Sequence, residues 1–381
     1  MTVTQVAELT NSALKETVGD SAVINETLSN VVDIGRAVMD ANQVDNYVRS
    51  LVNHIGRVVF WDRPYASAAP SLMMDSWRFG SIKEKIRTVL PESVDNPVWD
   101  LEDGTDYSPF VFHKPNVSAK FFNGRVTHRV EQTIADEQVE ESFSSSYQHM
   151  AFISMLVGHR ANRLTVDNDN LTMMTVRTGI ANAYCGSGVT KINLLYEYNT
   201  NNSTSLTLEA ALRTEEFLRY AVYRMGIVMD QMRKYNKFFN TSGIVTFTPR
   251  ERLKLVYLTD FARSAGVYLH DAQNVFNTGN LTLPGADIVS EWQGSGTSCA
   301  FSDRATVKIT HSGINSGNAV TVPGVLAVMF DEEAMGICNY KSQVTSQYNP
   351  RTHTTNFFDD RIAGYFNDFD EQCVVFYGAS S

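Results

Sequence analysis

The chain has little on which chemistry could be built. Its four cysteines among 381 residues, Cys185, Cys299, Cys338 and Cys373, are widely separated and form no C-x-x-C pair. That spacing argues against a zinc site or a dithiol redox motif, and for reduced thiols in an intracellular compartment. Positive charge is scarce: Lys and Arg number 32 against 42 Asp and Glu, a net charge of −10 and a sequence pI near 5.3. A protein that grips nucleic acid by counterion release needs a basic surface, so sequence-specific DNA binding is not expected. No apolar run approaches the roughly twenty residues that span a bilayer. The start, Met1-Thr-Val-Thr-Gln-Val6, has neither the basic region nor the apolar core of a signal peptide, so none is expected. The Asn-x-Ser/Thr triplets at Asn25, Asn116, Asn170 and Asn280 are then chance.

Catalytic and ligand signatures are equally sparse. No nucleophile elbow occurs. Gly186-Ser-Gly-Val-Thr-Lys191 and Gly294-Ser-Gly-Thr-Ser298 fit neither the phosphate loop nor the dinucleotide fingerprint, and read as loops. The eight histidines, His54, His113, His128, His149, His159, His270, His311 and His353, are scattered, with no i,i+4 pair of the helical metal-ligand kind. No catalytic residue, metal or cofactor is expected. Acidic clusters stand at Asp331-Glu332-Glu333, Asp359-Asp360 and Asp368-Phe-Asp370-Glu371. They lack the EF-hand pattern. Solvated turns between strands are the favoured reading, and inter-subunit ion pairs the other.

What is present is a sequence of contrasting textures. Residues 1 to about 60 are helical and amphipathic, with a start helix over Val6 to Leu14 and apolar stripes at Leu28, Val31, Val32, Val38 and at Val44, Tyr47, Val48, Leu51. This region either packs on its own domain or docks on a neighbour. From Phe60 to about Val130 fall six of the ten prolines, with Trp61, Trp77 and Trp99. Proline in extended segments points to edge strands and turns, and short alternating runs lie at Ser81–Leu90 and Val117–Val130. This excursion has too little apolar sequence for its own core, so its aromatic side chains are expected to be buried on something else.

Helices follow. One is capped by Asp136 and continues through Phe143, Tyr147, Ile153 and Leu164; a second runs from Asn168 to Ala183; the third and longest spans Leu208 to Phe239. A fourth starts at Thr248-Pro249-Arg250-Glu251, with a Thr cap, proline at the first helical position and glutamate at the third, and ends near Gly266. Between Arg213 and Lys254 nine Lys and Arg face four acidic residues, read as a solvated helix face in preference to a complement for an acidic partner. Strands are expected at Thr306–Thr310 and Val325–Phe330, and to the end of the chain. The order of elements is that of an α+β protein.

Several segments resemble the major capsid proteins of tailed bacteriophages with the Hong Kong 97-type fold. Asp45-Asn-Tyr-Val-Arg-Ser-Leu-Val-Asn-His-Ile-Gly-Arg-Val-Val59 looks like the passage from N-terminal arm into E-loop in short-tailed phages of the phi-29 type. Pro115-Asn-Val-Ser-Ala-Lys-Phe-Phe-Asn-Gly-Arg125 is similar to their return from that loop. Val325-Leu-Ala-Val-Met-Phe330 with its acidic turn, and Tyr348-Asn-Pro-Arg351, look like the closing strands. No single motif is diagnostic; the order of the segments carries the likeness.

The resemblance implies a shell protein, not an enzyme, which self-assembles as hexamers and pentamers around a double-stranded DNA genome. It implies an N-terminal arm at 1–61, an extended E-loop at 62–128, a mainly peripheral domain with spine helices at 129–266, a mainly axial domain at 267–322, and shared closing strands at 323–381. The inter-subunit contact candidates are Trp77, Trp99, Phe110 and Phe112 in the loop, with Arg233, Lys234, Tyr348 and Arg351 outside it. Scaffolding and portal proteins are the expected partners, assembly is expected in the bacterial cytoplasm, and no membrane is involved. No lysine matches the Lys–Asn weld that some members form, and no extra immunoglobulin-like domain is expected after Ser381. An encapsulin-like compartment that holds protein cargo is the alternative, and an enzyme with a tertiary-assembled His/Asp/Glu site a distant third.

Overall fold

The computed structural model describes residues 3–19, 23–40, 43–51, 69–72, 83–88, 93, 103, 110, 114, 117–268, 286–293 and 299–379. Along the chain run helices α1 (Val3–Thr17) and α2 (Val31–Asp40), strands β1 (Lys83–Thr88), β2 (Val117–Phe122) and β3 (Arg125–Ala135), then α3 (Asp136–Ser142), α4 (Ser146–Cys185), β4 (Lys191–Asn193), α5 (Leu194–Asn202) and α6 (Glu215–Met232). They are followed by β5 (Leu253–Leu258), α7 (Thr259–Tyr268), β6 (Ala286–Val289), β7 (Val307–Ile309), β8 (Val320–Val322), β9 (Val325–Asp331), β10 (Met335–Asn349), β11 (Thr354–Asn367) and β12 (Cys373–Tyr377). The chain divides into two compact units, one of residues 1–70, 125–172 and 338–364, the other of 71–124, 173–337 and 365–381.

The first unit is built around a sheet in the order β10-β11-β3. β3 pairs antiparallel with β11 from Ala135 opposite Thr354 to Arg125 opposite Gly364. The amphipathic N-terminal helices bury their stripe in this unit: Val6, Leu9, Leu14, Leu28, Val31, Val38, Tyr47 and Leu51 form one core with Ile134, Phe143, Ile153 and Phe357. Of the two readings open for residues 1–60, the described residues up to Leu51 show packing on their own unit.

The second unit holds a five-stranded sheet, β4-β12-β9-β5-β6. Its centre is antiparallel, β12 against β9 and β9 against β5, with parallel edges at β4 and β6. All seven residues of β9 are buried, the pattern of a strand covered on both faces. α5 and α6 lay Leu194, Leu195, Tyr198, Phe217, Leu218, Val222, Met225 and Met229 into the core with Leu255, Leu326, Met329, Val374 and Phe376. Residues 173–266 therefore share their core with the closing strands. Gly324, at φ +62°, starts β9 where a Cβ would lie 2.2 Å from the Gly378 carbonyl oxygen, so a side chain there is excluded by both conformation and space.

Four helix expectations are corrected. The helix expected from Asp136 to Leu164 is interrupted after Ser142, and its remainder joins the helix expected over Asn168–Ala183 in one element of 40 residues, α4, the longest described helix. The polar stretch between them does not break it because its groups are satisfied within the helix: Arg163 pairs with Asp167 at 2.9 Å, and Thr172 and Thr178 donate to the carbonyls four residues back at 2.8 Å. The helix expected over Leu208–Phe239 is reduced to a four-residue turn at Leu208–Ala211 and α6, Glu215–Met232. Thr248-Pro-Arg-Glu opens only a single 3-10 turn, Arg250–Arg252, before β5. The Thr248 hydroxyl donates to Gln372 Oε1 at 2.8 Å instead of capping, and burial of Leu253, Leu255, Val256 and Leu258 in the sheet overrides the local helix signal. Asp136 is the first residue of α3, whose N-cap is Ala135.

Candidate assembly surface

The most densely charged part of the described chain is at the base of the predicted loop. β1 and β2 form an antiparallel pair from Lys83 opposite Phe122 to Thr88 opposite Val117. Alternation along Lys83-Glu-Lys-Ile-Arg-Thr88 puts Lys83, Lys85 and Arg87 on one face. Across the pair Lys85 stands directly opposite Lys120, an arrangement that repels unless anions intervene.

The anions come from two turns knitted together by their backbones. Asp331 N–H donates to the Gln372 carbonyl at 3.0 Å, and Asp368 N–H to the Ala334 carbonyl at 2.7 Å. Lys83 pairs with Glu333 at 3.0 Å; Lys85 pairs with Asp368 at 3.0 Å and with Glu371; Arg87 pairs with Glu371; Lys120 pairs with Asp368 at 3.3 Å and with Asp370. Lys83 also lies over the Phe366 ring, 3.8 Å from its centre, and Phe122 packs on the same ring. Four cations and four carboxylates thus clamp the hairpin to its own unit.

The Asp368 side chain is only 1% exposed. Burial works to raise its pKa, but Lys85, the Asp370 N–H and Lys120 overcome this and hold the carboxyl below the ordinary range. Glu333 behaves alike: burial opposes the charge and Lys83 and Lys85 more than offset it. Asp331 goes the other way, raised by burial against the help of the Glu333 N–H. The expectation of solvated turns is therefore corrected for Asp331, Asp368 and Asp370, which are buried. Asp359 is also buried and pairs with Arg361 at 2.8 Å, while Asp360 forms an exposed cross-strand pair with Arg129.

A second surface lies at residues 233–247. Asn236 and Thr246 bridge antiparallel, bringing the Tyr235 and Phe247 rings to 4.5 Å. Val189 N–H donates to the Phe238 carbonyl at 2.8 Å, so Val189 borders the same surface. Arg233 pairs with Asp230 at 3.5 Å, and Lys234 and Lys237 are exposed. The basic segment is in large part paired within the chain, Arg219 with Glu215 and Arg224 with Glu197.

Of the other contact candidates, Phe110 is 91% exposed, and Trp77, Trp99 and Phe112 lie outside the described residues. Tyr348 donates to Asp136 Oδ2 at 3.2 Å and meets His353 Nδ1 at 3.2 Å; Arg351 is exposed in the turn between β10 and β11. Among the described candidates, Tyr348 and Arg351 belong to the first unit and Phe110, Arg233 and Lys234 to the second. The signal for the clamp was present in the strict alternation of Lys83, Lys85 and Arg87; its partners were not legible, since Lys85 and Asp368 are 283 residues apart.

Among the described residues no cluster of three or more His, Cys, Asp or Glu could hold a metal, and no helix is long and apolar enough to cross a membrane. His149 is fully buried, Nε2 3.1 Å from the Thr10 hydroxyl and Nδ1 3.4 Å from the Ser142 hydroxyl, its ring stacked on Phe143. Burial lowers its pKa to about 4, which makes it a neutral core residue.

The described residues thus form an α+β chain with a charged hairpin clamp and exposed aromatic surfaces. Solved structures agree on the fold. The chain is similar to the capsid structure of Staphylococcus phage Andhra, with a TM-score of 0.54 and 9% identity over 81% of this chain and 83% of that one. It is similarly related to a chain in the structure of the head fiber and inner core protein gp22 of native bacteriophage P68, with a TM-score of 0.54 and 8% identity over 84% and 86%. No curated protein matches the sequence. The family model of the Phi29-like phage major capsid protein matches residues 6–377, and the chain belongs to that family. It is a capsid protein of the icosahedral phage head, assembled from many copies of itself, and its role is structural. The family match favours this over the nanocompartment and enzyme readings.

Proposed function

We propose that the shell is tiled by hexamers, with pentamers at the vertices, and that each copy reaches a neighbour through the loop between β1 and β2. In this reading 62–128 is the E-loop, and Trp77, Trp99, Phe110 and Phe112 are buried on the next copy. Segments 129–266 and 267–322 are mainly peripheral and mainly axial, and Arg233, Lys234, Tyr348 and Arg351 lie at further contacts. The supporting observation is the clamp: both strands at the loop's base are pinned to the chain's own carboxylates, while Phe110 is 91% exposed. An anchored base with an exposed aromatic residue between its strands suits a reach toward another copy. Each contact need contribute only a few kcal/mol, because a closed shell multiplies weak contacts.

The net charge of −10 fits a wall that encloses DNA without sequence-specific binding and does not adhere to it. Assembly in the bacterial cytoplasm with scaffolding and portal proteins completes the reading. Removing residues 89–116 and joining β1 to β2 by a short turn should leave a folded protein that forms no shells by light scattering and negative-stain microscopy. Normal shells from that deletion would sink the proposal.

A further inference from the structure

The hairpin at the loop's base is inside out. A half-covered antiparallel sheet ordinarily turns its apolar side chains to the covered face and its charges to water. Here Lys83, Lys85, Arg87 and Lys120 face the chain's own carboxylates, and the apolar residues other than Phe122 are outside. Ile86 is 64% exposed, Phe121 62% and Val117 52%. The register sets Glu84 opposite Phe121, Ile86 opposite Ala119 and Thr88 opposite Val117, so these side chains form one strip whose single charged residue is Glu84. The hairpin cannot turn over to hide the strip, because that would leave Asp368 and its neighbours buried without counter-charges.

We propose that this strip is a contact surface for a second copy of the chain, docking on that copy's surface at 235–247. That surface offers Tyr235, Phe238, Val245 and Phe247, each at least 40% exposed. It also offers Lys234 and Lys237, which make no ion pair among the described residues and complement Glu84. Both surfaces are exposed in one copy, so they do not cover each other within it. Two different surfaces that match between copies make a head-to-tail contact, the kind that builds rings when the rotation between copies closes, and the protein assembles from many copies of itself. The inference rests on the proposal that the loop region reaches a neighbour, and adds which face does so and where it lands.

The test uses the full chain expressed with the other head proteins of its source. I86S/F121S changes two exposed side chains, so the thermal midpoint should stay at the wild-type value while shell yield falls to background. Glu84→Lys should also block assembly, and Lys237→Glu in the same chain should restore it; this pair serves if the serine variant misfolds. In a background with Cys185 and Cys299 replaced by serine, mixed I86C and F247C copies should form a disulfide-linked dimer in shells, and neither variant alone should. Wild-type shell yield from I86S/F121S overturns the contact, while the 89–116 deletion independently tests the loop reading. Loss of shells without the cross-link and without charge-swap rescue overturns the assigned landing surface.

Discussion

β9 and β1 belong to the same unit and are held there by opposite physics. Val325-Leu-Ala-Val-Met-Phe-Asp331 is buried at every position, at the centre of its sheet. Lys83-Glu-Lys-Ile-Arg-Thr88 has one neighbouring strand and alternates between half-buried and exposed, with its cations inward. Burial of β9 is non-directional and stabilises whatever apolar side chain fits. The grip on β1 depends on particular charges meeting particular charges. The difference teaches that a unit of this shell protein can keep its core intact while one ribbon is attached by groups whose strength responds to solvent and pH.

The sharpest break comes from the core side. Phe330→Ala should destabilise the second unit by about 3–5 kcal/mol, the cost of a large-to-small change at a fully buried phenylalanine. A loss of unfolding free energy under a quarter of that, from denaturant titration, would show β9 to be less central than its burial implies.

Acid should separate regions next. His149 is neutral in the folded first unit, with a pKa of about 4 against 6.5 when free. Its depressed pKa means that stability is full above about pH 6.5 and declines as the pH falls toward 4, by about 3 kcal/mol in all. Asp368 and Glu333 are held below the ordinary carboxylate range, so their contribution is full above about pH 5 and is lost as the pH falls through their folded values. Hydrogen exchange near pH 5 should show the first unit loosened with the hairpin still protected, and His149→Gln should flatten the decline. A hairpin that opens first would reverse the assignment.

The smallest effect is at the clamp itself. Lys85→Ala leaves Asp368 and Glu371 short of a partner; because Lys85 is 18% exposed, the loss should be about 2 kcal/mol, less than for a fully buried pair. It should appear as faster proteolysis of residues 83–122, with little change in the global midpoint. An equal fall in both would mean that the hairpin and the five-stranded sheet unfold together.

Much of the fold was legible where local signals and burial agree. Val325–Phe330 reads as a strand because a short run of β-branched and aliphatic residues suits a doubly covered sheet, and the N-terminal stripes read as helices because their period matches the face they bury. Legibility failed where tertiary partners outweighed local chemistry. Thr248 looks like a helix cap, but Gln372 takes its hydroxyl and the sheet takes Leu253–Leu258. Asp167 and Asn168 look like a break, yet the helix runs through them. Of the contact candidates, the sequence pointed to aromatics in the loop and to Arg233 and Lys234, but not to Ile86, Val117 and Phe121, which looked like ordinary strand residues until their exposure was known.

The α+β class, the order of segments and their likeness to a phage capsid protein can be read along the chain, because periodicity and order are properties of neighbouring residues. Which carboxylates are buried, and which face of the hairpin is left bare, follows from folding alone. Those outcomes depend on Lys83 meeting Glu333 across 250 residues and Lys85 meeting Asp368 across 283, and no local pattern of charge specifies a partner that far along the chain.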